Sequence, residues 1–188
     1  MSAPPEVPAI VERAFAVSRR AGYVSFCRNE TGRLLAALAA TRSGTLAEFG
    51  TGCGVGTAWL RSGVRPGATI LTAELDETLA SSAQEIFVDD AQVEVLAADW
   101  STLLGKGPFS LLFLDPSSPE DASVDAVADL VEPGGIVVMD DFSPCEIWPP
   151  ITNGRVDAFR EAWLTDERFT AVEVMVAPDA AAIVATRR

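Results

Sequence analysis

Histidine is absent from the 188-residue chain. The absence removes the commonest general base and the commonest transition-metal ligand. Ser-His-Asp and Cys-His hydrolases, and histidine-ligated zinc, are excluded with it. Proton transfer is left to Asp, Glu, Tyr23, Lys106, a thiol or water. Cysteine is scarce: Cys27, Cys53 and Cys145 lie far apart and make neither a metal knuckle nor a Cys-x-x-Cys pair. An odd count without a secretory leader leads to the expectation of a reducing cytoplasm. Basic residues are few, 14 Lys and Arg against 27 Asp and Glu, which leaves a formal charge of −13. An acidic surface repels phosphate backbones and anionic membranes, so neither a nucleic acid nor a membrane is expected as partner. No apolar run is long enough to span a bilayer.

What the chain does have is glycine in one place. Leu46-Ala47-Glu48-Phe49-Gly50-Thr51-Gly52-Cys53-Gly54-Val55-Gly56-Thr57 is an apolar run ending in an acid, then alternating glycines, then the start of a helix-like segment. Strand, glycine loop and helix in that order form a nucleotide-type cofactor site at the carboxyl end of a parallel strand. The dinucleotide fingerprint needs glycines at i, i+2 and i+5. From Gly50 the last of these is Val55, and from Gly52 it is Thr57, so the fingerprint fails in both registers. No Lys follows the glycines, which removes a phosphate-binding P-loop.

The rest of the chain alternates between strand and helix patterns. Helices are predicted over Ala9–Arg20, Asn29–Ala40, Thr57–Gly63, Glu77–Val88, Ala122–Leu130 and Val156–Leu164. Strands are predicted over Thr45–Phe49, Ala68–Ala73, Val93–Ala97, Ser110–Leu114 and Ile136–Met139. Pro133-Gly134-Gly135 is read as a turn, and Phe142–Gly154 as a loop rich in proline and aromatics. Nearly continuous apolar strands between helices indicate a parallel sheet buried on both faces. The tail differs: Phe169–Val176 and Ala181–Thr186 read as two strands joined by Ala177-Pro178-Asp179-Ala180.

An open α/β sheet binds ligands beyond the carboxyl ends of its strands. Those ends carry Glu48, Glu74, Asp99, Asp115 and the pair Asp140-Asp141. Any one of them has an ordinary role as a cap for a helix or turn. Together they line one edge of the sheet. Glu74 follows the glycines at the distance where an acid holds ribose hydroxyls.

These pieces resemble class I S-adenosylmethionine-dependent methyltransferases. The glycine loop, Phe113-Leu114-Asp115 and Pro133-Gly134-Gly135-Ile136-Val137-Val138-Met139-Asp140-Asp141 look most like the catechol-type and bacterial O-methyltransferases, over roughly Asn29 to the C-terminus. The resemblance implies a Rossmann-like α/β fold with a seven-stranded, mostly parallel sheet, helices on both faces and a C-terminal antiparallel hairpin. It implies one domain, 1–188, with a helical cap over 1–43, a cofactor-binding core over 44–141, and a substrate loop, helix and hairpin over 142–188. Cofactor contacts fall on Glu48, Gly50, Thr51, Gly52, Gly54, Val55, Gly56, Glu74, Leu75, Asp99, Trp100 and Asp115. Asp115 and Asp141 take the catalytic positions. Asp115, Asp140 and Asp141 take the positions that hold magnesium, with Asp141 where the family has Asn. Tyr23 and Trp148 are candidate substrate contacts. The implied partners are a small-molecule methyl acceptor and a second copy of the chain.

Two features depart from the family. Its Lys shortly after the first Asp is absent, because the segment reads Asp115-Pro116-Ser117-Ser118-Pro119. Asp140 and Asp141 are also adjacent, and neighbouring strand residues face opposite ways unless the strand has ended. Two rival readings stay open at this point: a non-catalytic S-adenosylmethionine-binding protein of the same fold, and an NAD-dependent oxidoreductase.

Overall fold

A computed structural model describes residues 6–24, 27–114 and 122–188. In chain order the elements are α1 (Ala9–Ala21), α2 (Asn29–Ala39), β1 (Thr45–Phe49), α3 (Val55–Gly63), β2 (Thr69–Glu74), α4 (Glu77–Phe87), β3 (Val93–Ala97), β4 (Phe109–Leu114), α5 (Val124–Val127) and β5 (Val131–Phe142). They continue as β6 (Ile151–Thr152), β7 (Arg155–Val156), α6 (Ala158–Thr165), β8 (Phe169–Ala177) and β9 (Ala180–Arg187). Seven strands form one sheet in the order β3-β2-β1-β4-β5-β9-β8. The pairs from β3 to β5 are parallel, and β9 runs antiparallel to both β5 and β8. This is the Rossmann-like class I methyltransferase architecture expected above.

The period-2 alternation of the strands sorts the core into two layers. Leu46, Leu111, Phe113, Ile136 and Val138 pack under α1, α2, α3 and α4. Ala47, Phe49, Leu112, Leu114, Val137 and Met139 pack on the other face with α5, Trp163 of α6 and Ile183 of β9. The same parity turns Glu48 and Asp140 toward the α1–α4 face. Local signals end the helices: Gly22 stops α1 in the left-handed region at φ 69°, and the Asp76 carboxylate accepts from the N–H groups of Thr78 and Leu79 to start α4.

Several boundaries differ from the sequence reading. The fifth strand starts at Val131 rather than Ile136, running through Pro133-Gly134-Gly135 with a register shift between Phe109 and Leu111 on its neighbour. A bulge absorbs the proline, which cannot donate to a ladder. The helix expected over Ala122–Leu130 is a single α turn, Val124–Val127, followed by a 3-10 turn, Ala128–Leu130. The loop expected over Phe142–Gly154 carries β6 near its end, paired with β7 just beyond it, and a 3-10 segment spans Trp100–Lys106. Both are too short for a periodic signal. Among the described residues no helix is long and apolar enough to cross a membrane.

Helices α2 and α3 meet almost backbone to backbone. A Cβ on Gly63 would overlap the Ala36 carbonyl, and one on Gly32 would overlap the Trp59 ring. Gly63→Ala is therefore expected to lower stability by about 1–3 kcal/mol, the usual cost of overpacking. Gly105→Ala, where a Cβ meets nothing within 4 Å, serves as the neutral control. Urea unfolding of the two variants beside the parent checks the difference.

Candidate active site

The strand order reverses at β1, which has β2 on one side and β4 on the other. The crevice at such a switch point opens beyond the carboxyl ends of the strands. The glycine loop fills that position. Gly50 (φ 89°), Gly52 (φ 52°) and Gly54 (φ 84°) all adopt the left-handed region that side chains rarely enter. The Gly50 and Thr51 N–H groups donate to the Ala73 carbonyl, at 3.1 and 3.3 Å, so the loop runs on along β2 before α3 begins. A cleft is lined by Tyr23, Cys27, Glu48, Phe113 and the loop residues Gly50–Cys53, Val55 and Gly56.

Glu48 is buried beneath the loop at 1% exposure. One carboxylate oxygen accepts from the hydroxyls of Thr57, on α3, and Thr72, on β2. Thr72 also bonds Thr51 at 2.5 Å between hydroxyl oxygens. The other Glu48 oxygen occupies the space that a Cβ at position 56 would need. Gly56 is thus glycine to admit the carboxylate, and the carboxylate joins β1, β2, the loop and α3.

Glu74 ends β2 and faces the loop from the side. Its Oε2 accepts from the Gly52 N–H at 2.8 Å and its Oε1 from the Asp76 N–H at 2.9 Å. Leu75 next to it is exposed. Asp99 ends β3 and accepts from the Ser101 N–H at 2.9 Å. That capping bond, from the Ser101 hydroxyl and amide, holds its carboxyl below the usual value. Trp100 stacks on Phe49, with ring centroids 4.9 Å apart.

Tyr23 reaches the cleft because α1 stops at Gly22. The Tyr23 N–H donates to the Ser18 carbonyl, and the Ser18 hydroxyl donates to the Tyr23 carbonyl at 2.6 Å. Its ring lies against the loop, so that a Cβ on Gly52 would sit 2.8 Å from Tyr23 Cε1. Cys53 is buried, and burial pushes its thiol pKa up.

The fifth strand delivers two acids of different kinds. Asp140 is 6% exposed and accepts from the Thr31 hydroxyl of α2 at 3.0 Å. Asp141 is exposed and takes φ 67°, a conformation uncommon for a side-chain-bearing residue. The ladder to β9 shifts between Met139 and Phe142. The strand is therefore interrupted at this pair rather than ended. Asp115 lies outside the described residues. Among the described residues no group of three or more Cys, Asp or Glu is placed to hold a metal ion. Trp148 is exposed in the loop after β5.

That loop is tied down by a side chain with no sequence signal. Arg160 of α6 is 2% exposed. It donates to the Ser143 carbonyl at 2.9 Å and to Glu173 at 3.1 Å, and its guanidinium lies over the Phe142 ring. Glu173 in turn accepts from the Cys145 N–H at 3.0 Å. Cys27, Thr31, Thr57 and Thr72 were also missed. The face parity of their elements brings the three threonines to the site, and the segment before α2 brings Cys27, both known only after folding.

A family described as methyltransferase domain matches residues 47–142. No curated protein is a significant sequence match to the chain. Solved structures are similar in fold. The O-methyltransferase TomG from Streptomyces achromogenes, involved in tomaymycin synthesis and solved with S-adenosylmethionine, is 20% identical, with a TM-score of 0.76 over 97% of this chain and 92% of that one. An O-methyltransferase from Bacillus cereus in complex with S-adenosylhomocysteine is 21% identical, with a TM-score of 0.75 over 100% of this chain and 94% of that one. A methyltransferase from Geobacter sulfurreducens is 18% identical, with a TM-score of 0.76 over 98% and 90%.

Burial pushes the Asp140 carboxyl above its ordinary 3.8. The Asp141 N–H, the Thr31 hydroxyl and the positive Arg28 oppose that shift. A raised folded-state pKa means that the folded protein holds this proton more tightly than the unfolded chain. Stability contributed by the group falls as pH rises from 3.8 through the folded value. Asp140→Asn keeps an acceptor for Thr31 and cannot ionise. It is expected to gain stability relative to the parent between acid and neutral pH, measured as the difference in urea midpoints across that window.

Proposed function

The chain belongs to the methyltransferase-domain family, and we propose that it binds S-adenosylmethionine in the cleft over the glycine loop and methylates an oxygen of a small molecule. One observation carries the reading. The glycine loop lines the cleft together with the buried Glu48 carboxylate beneath it, and Glu74 holds the loop from the side through the Gly52 N–H. A loop so held by acids, with no cationic side chain among the described residues that line the cleft, suits the phosphate-free, positively charged methionine end of this cofactor and disfavours a pyrophosphate. The bound cofactor supplies a sulfonium methyl group as the electrophile.

The protein's own residues then bind and align. Each Glu74 oxygen keeps a lone pair beyond its backbone bond, so the carboxylate accepts from ribose hydroxyls while still holding the loop. Asp99 and Trp100, fixed by the Ser101 cap and by Phe49, border the adenine. The Tyr23 ring closes the loop side. Alignment of this kind is worth up to ~7–11 kcal/mol of barrier in favourable systems. Asp141, exposed where β5 is interrupted, takes the proton from the acceptor hydroxyl, with Asp115 in the role that the sequence resemblance implies. Trp148 walls the acceptor.

Magnesium held by Asp115, Asp140 and Asp141 is the finer form of this proposal. Carboxylates such as those of Asp140 and Asp141, where β5 is interrupted, are the donor type that a hard cation takes. No cluster of three stands among the described residues, so no step is routed through a cation. The charge of −13 supports a small-molecule acceptor rather than a nucleic acid. The three free thiols support a cytoplasmic setting. A homodimer follows from the family resemblance, and sedimentation measures it.

Calorimetric titration with S-adenosylmethionine and S-adenosylhomocysteine is expected to show micromolar binding, with none for NAD. Glu74→Ala is expected to weaken cofactor binding about 10- to 100-fold, the loss of hydrogen bonds to a charged group. Wild-type affinity in that variant would remove the ribose role, and absence of any cofactor binding would remove the whole reading. Turnover of a phenolic acceptor panel with and without EDTA decides the role of the metal.

A further inference from the structure

Arg28 stands just before α2, between Cys27, which lines the cleft, and Thr31, which bonds Asp140. Its guanidinium grips the Asp179 carboxylate with both forks, Nη1 to Oδ1 and Nη2 to Oδ2, each at 2.9 Å. The geometry is that of a carboxylate receptor. Asp179 lies in the turn between β8 and β9. That turn sits past the carboxyl end of β5, because Phe142 pairs with Ala181 and Met175 pairs with Ala181 from the other side. The pair therefore spans the rim of the acceptor side, where Asp140 and Asp141 emerge. Asp140 is near enough for its charge to act on Arg28.

The pair is open to water, with the two side chains 51% and 68% exposed. Exposed ion pairs hold weakly, so a competing carboxylate exchanges with Asp179 at small cost. An anionic molecule approaching this acid-rich strand edge meets repulsion everywhere but at such a cation. The neighbouring segments carry apolar side chains turned to solvent: Val24 before Arg28, Ile147 and Trp148 after β5, and Met175 beside the turn.

We propose that Arg28 binds the carboxylate of an apolar-bodied acceptor, and that Asp179 fills its fork until that carboxylate displaces it. The inference rests on the proposed acceptor side of the cleft, and it names the substrate class: an aryl or similarly apolar carboxylic acid bearing a hydroxyl.

The test compares 3,4-dihydroxybenzoate with its uncharged methyl ester by calorimetry, on the full chain with and without S-adenosylhomocysteine. The acid is expected to bind more tightly than the ester. Asp179→Asn, which keeps the shape of the turn and frees the fork, is expected to strengthen acid binding about tenfold and leave the ester unchanged. Arg28→Met is expected to erase the preference for the acid, while S-adenosylhomocysteine affinity stays as in the parent. A pair that only braces the hairpin against α2 would lower stability equally in both variants and give no gain in Asp179→Asn. Equal binding of acid and ester by Asp179→Asn, or binding of neither, would overturn the inference. A preference for the acid in a protein that does not bind S-adenosylhomocysteine would keep the Arg28 site and remove the cofactor reading instead.

Discussion

The buried carboxylate of Glu48 is the constraint on which the site depends. A carboxyl group at 1% exposure is costly unless it is well bonded. The chain meets that cost with hydroxyls from two other elements, Thr57 and Thr72. The result is a fixed point below the loop to which β1, β2 and α3 are all attached. Gly56 then has no freedom to carry a side chain. Gly52 is constrained from both sides, by Glu74 at its N–H and by the Tyr23 ring above. The glycines are thus less a flexible hinge than a rigid bed whose shape is dictated by acids beneath and beside it.

The same economy governs the other end of the crevice. Asp140 follows the parity of β5 toward α2 and is bonded there by Thr31. Asp141 escapes the parity by taking a left-handed backbone. A conformation of that kind persists only where its surroundings over-determine it. Here they do so through Phe142, which resumes pairing at Ala181 and lies under Arg160. Arg160 and Glu173 then hold the Ser143 carbonyl and the Cys145 N–H. A buried ion pair seldom adds net stability over an apolar replacement. What it supplies here is a defined path for an irregular loop that leaves the sheet at the acceptor side.

The proposed cofactor side and the proposed acceptor side are built by different means. On the cofactor side the backbone of one loop is shaped by nearby acids, all within about one turn of a strand end. On the acceptor side the parts come from α2, β5, the following loop, α6 and the β8–β9 turn, which are far apart in the chain. The Arg28–Asp179 pair bridges the first and last of these.

That difference explains how much could be read from the sequence. The alternating apolar strands, the glycines after Glu48 and the acids at strand ends are local patterns. They were enough for the α/β class, the order of the strands along the chain and the exclusion of a dinucleotide fingerprint. Histidine's absence alone removed whole classes of chemistry. The tertiary structure decided which threonines meet Glu48, that Thr31 meets Asp140, that Asp141 takes a left-handed backbone and stays exposed, and that Arg160 and Arg28 reach the loop and the turn. These are contacts between residues separated by up to 151 positions. No periodicity records them, because a side chain's partner across a sheet is set by register and packing rather than by its neighbours in the chain.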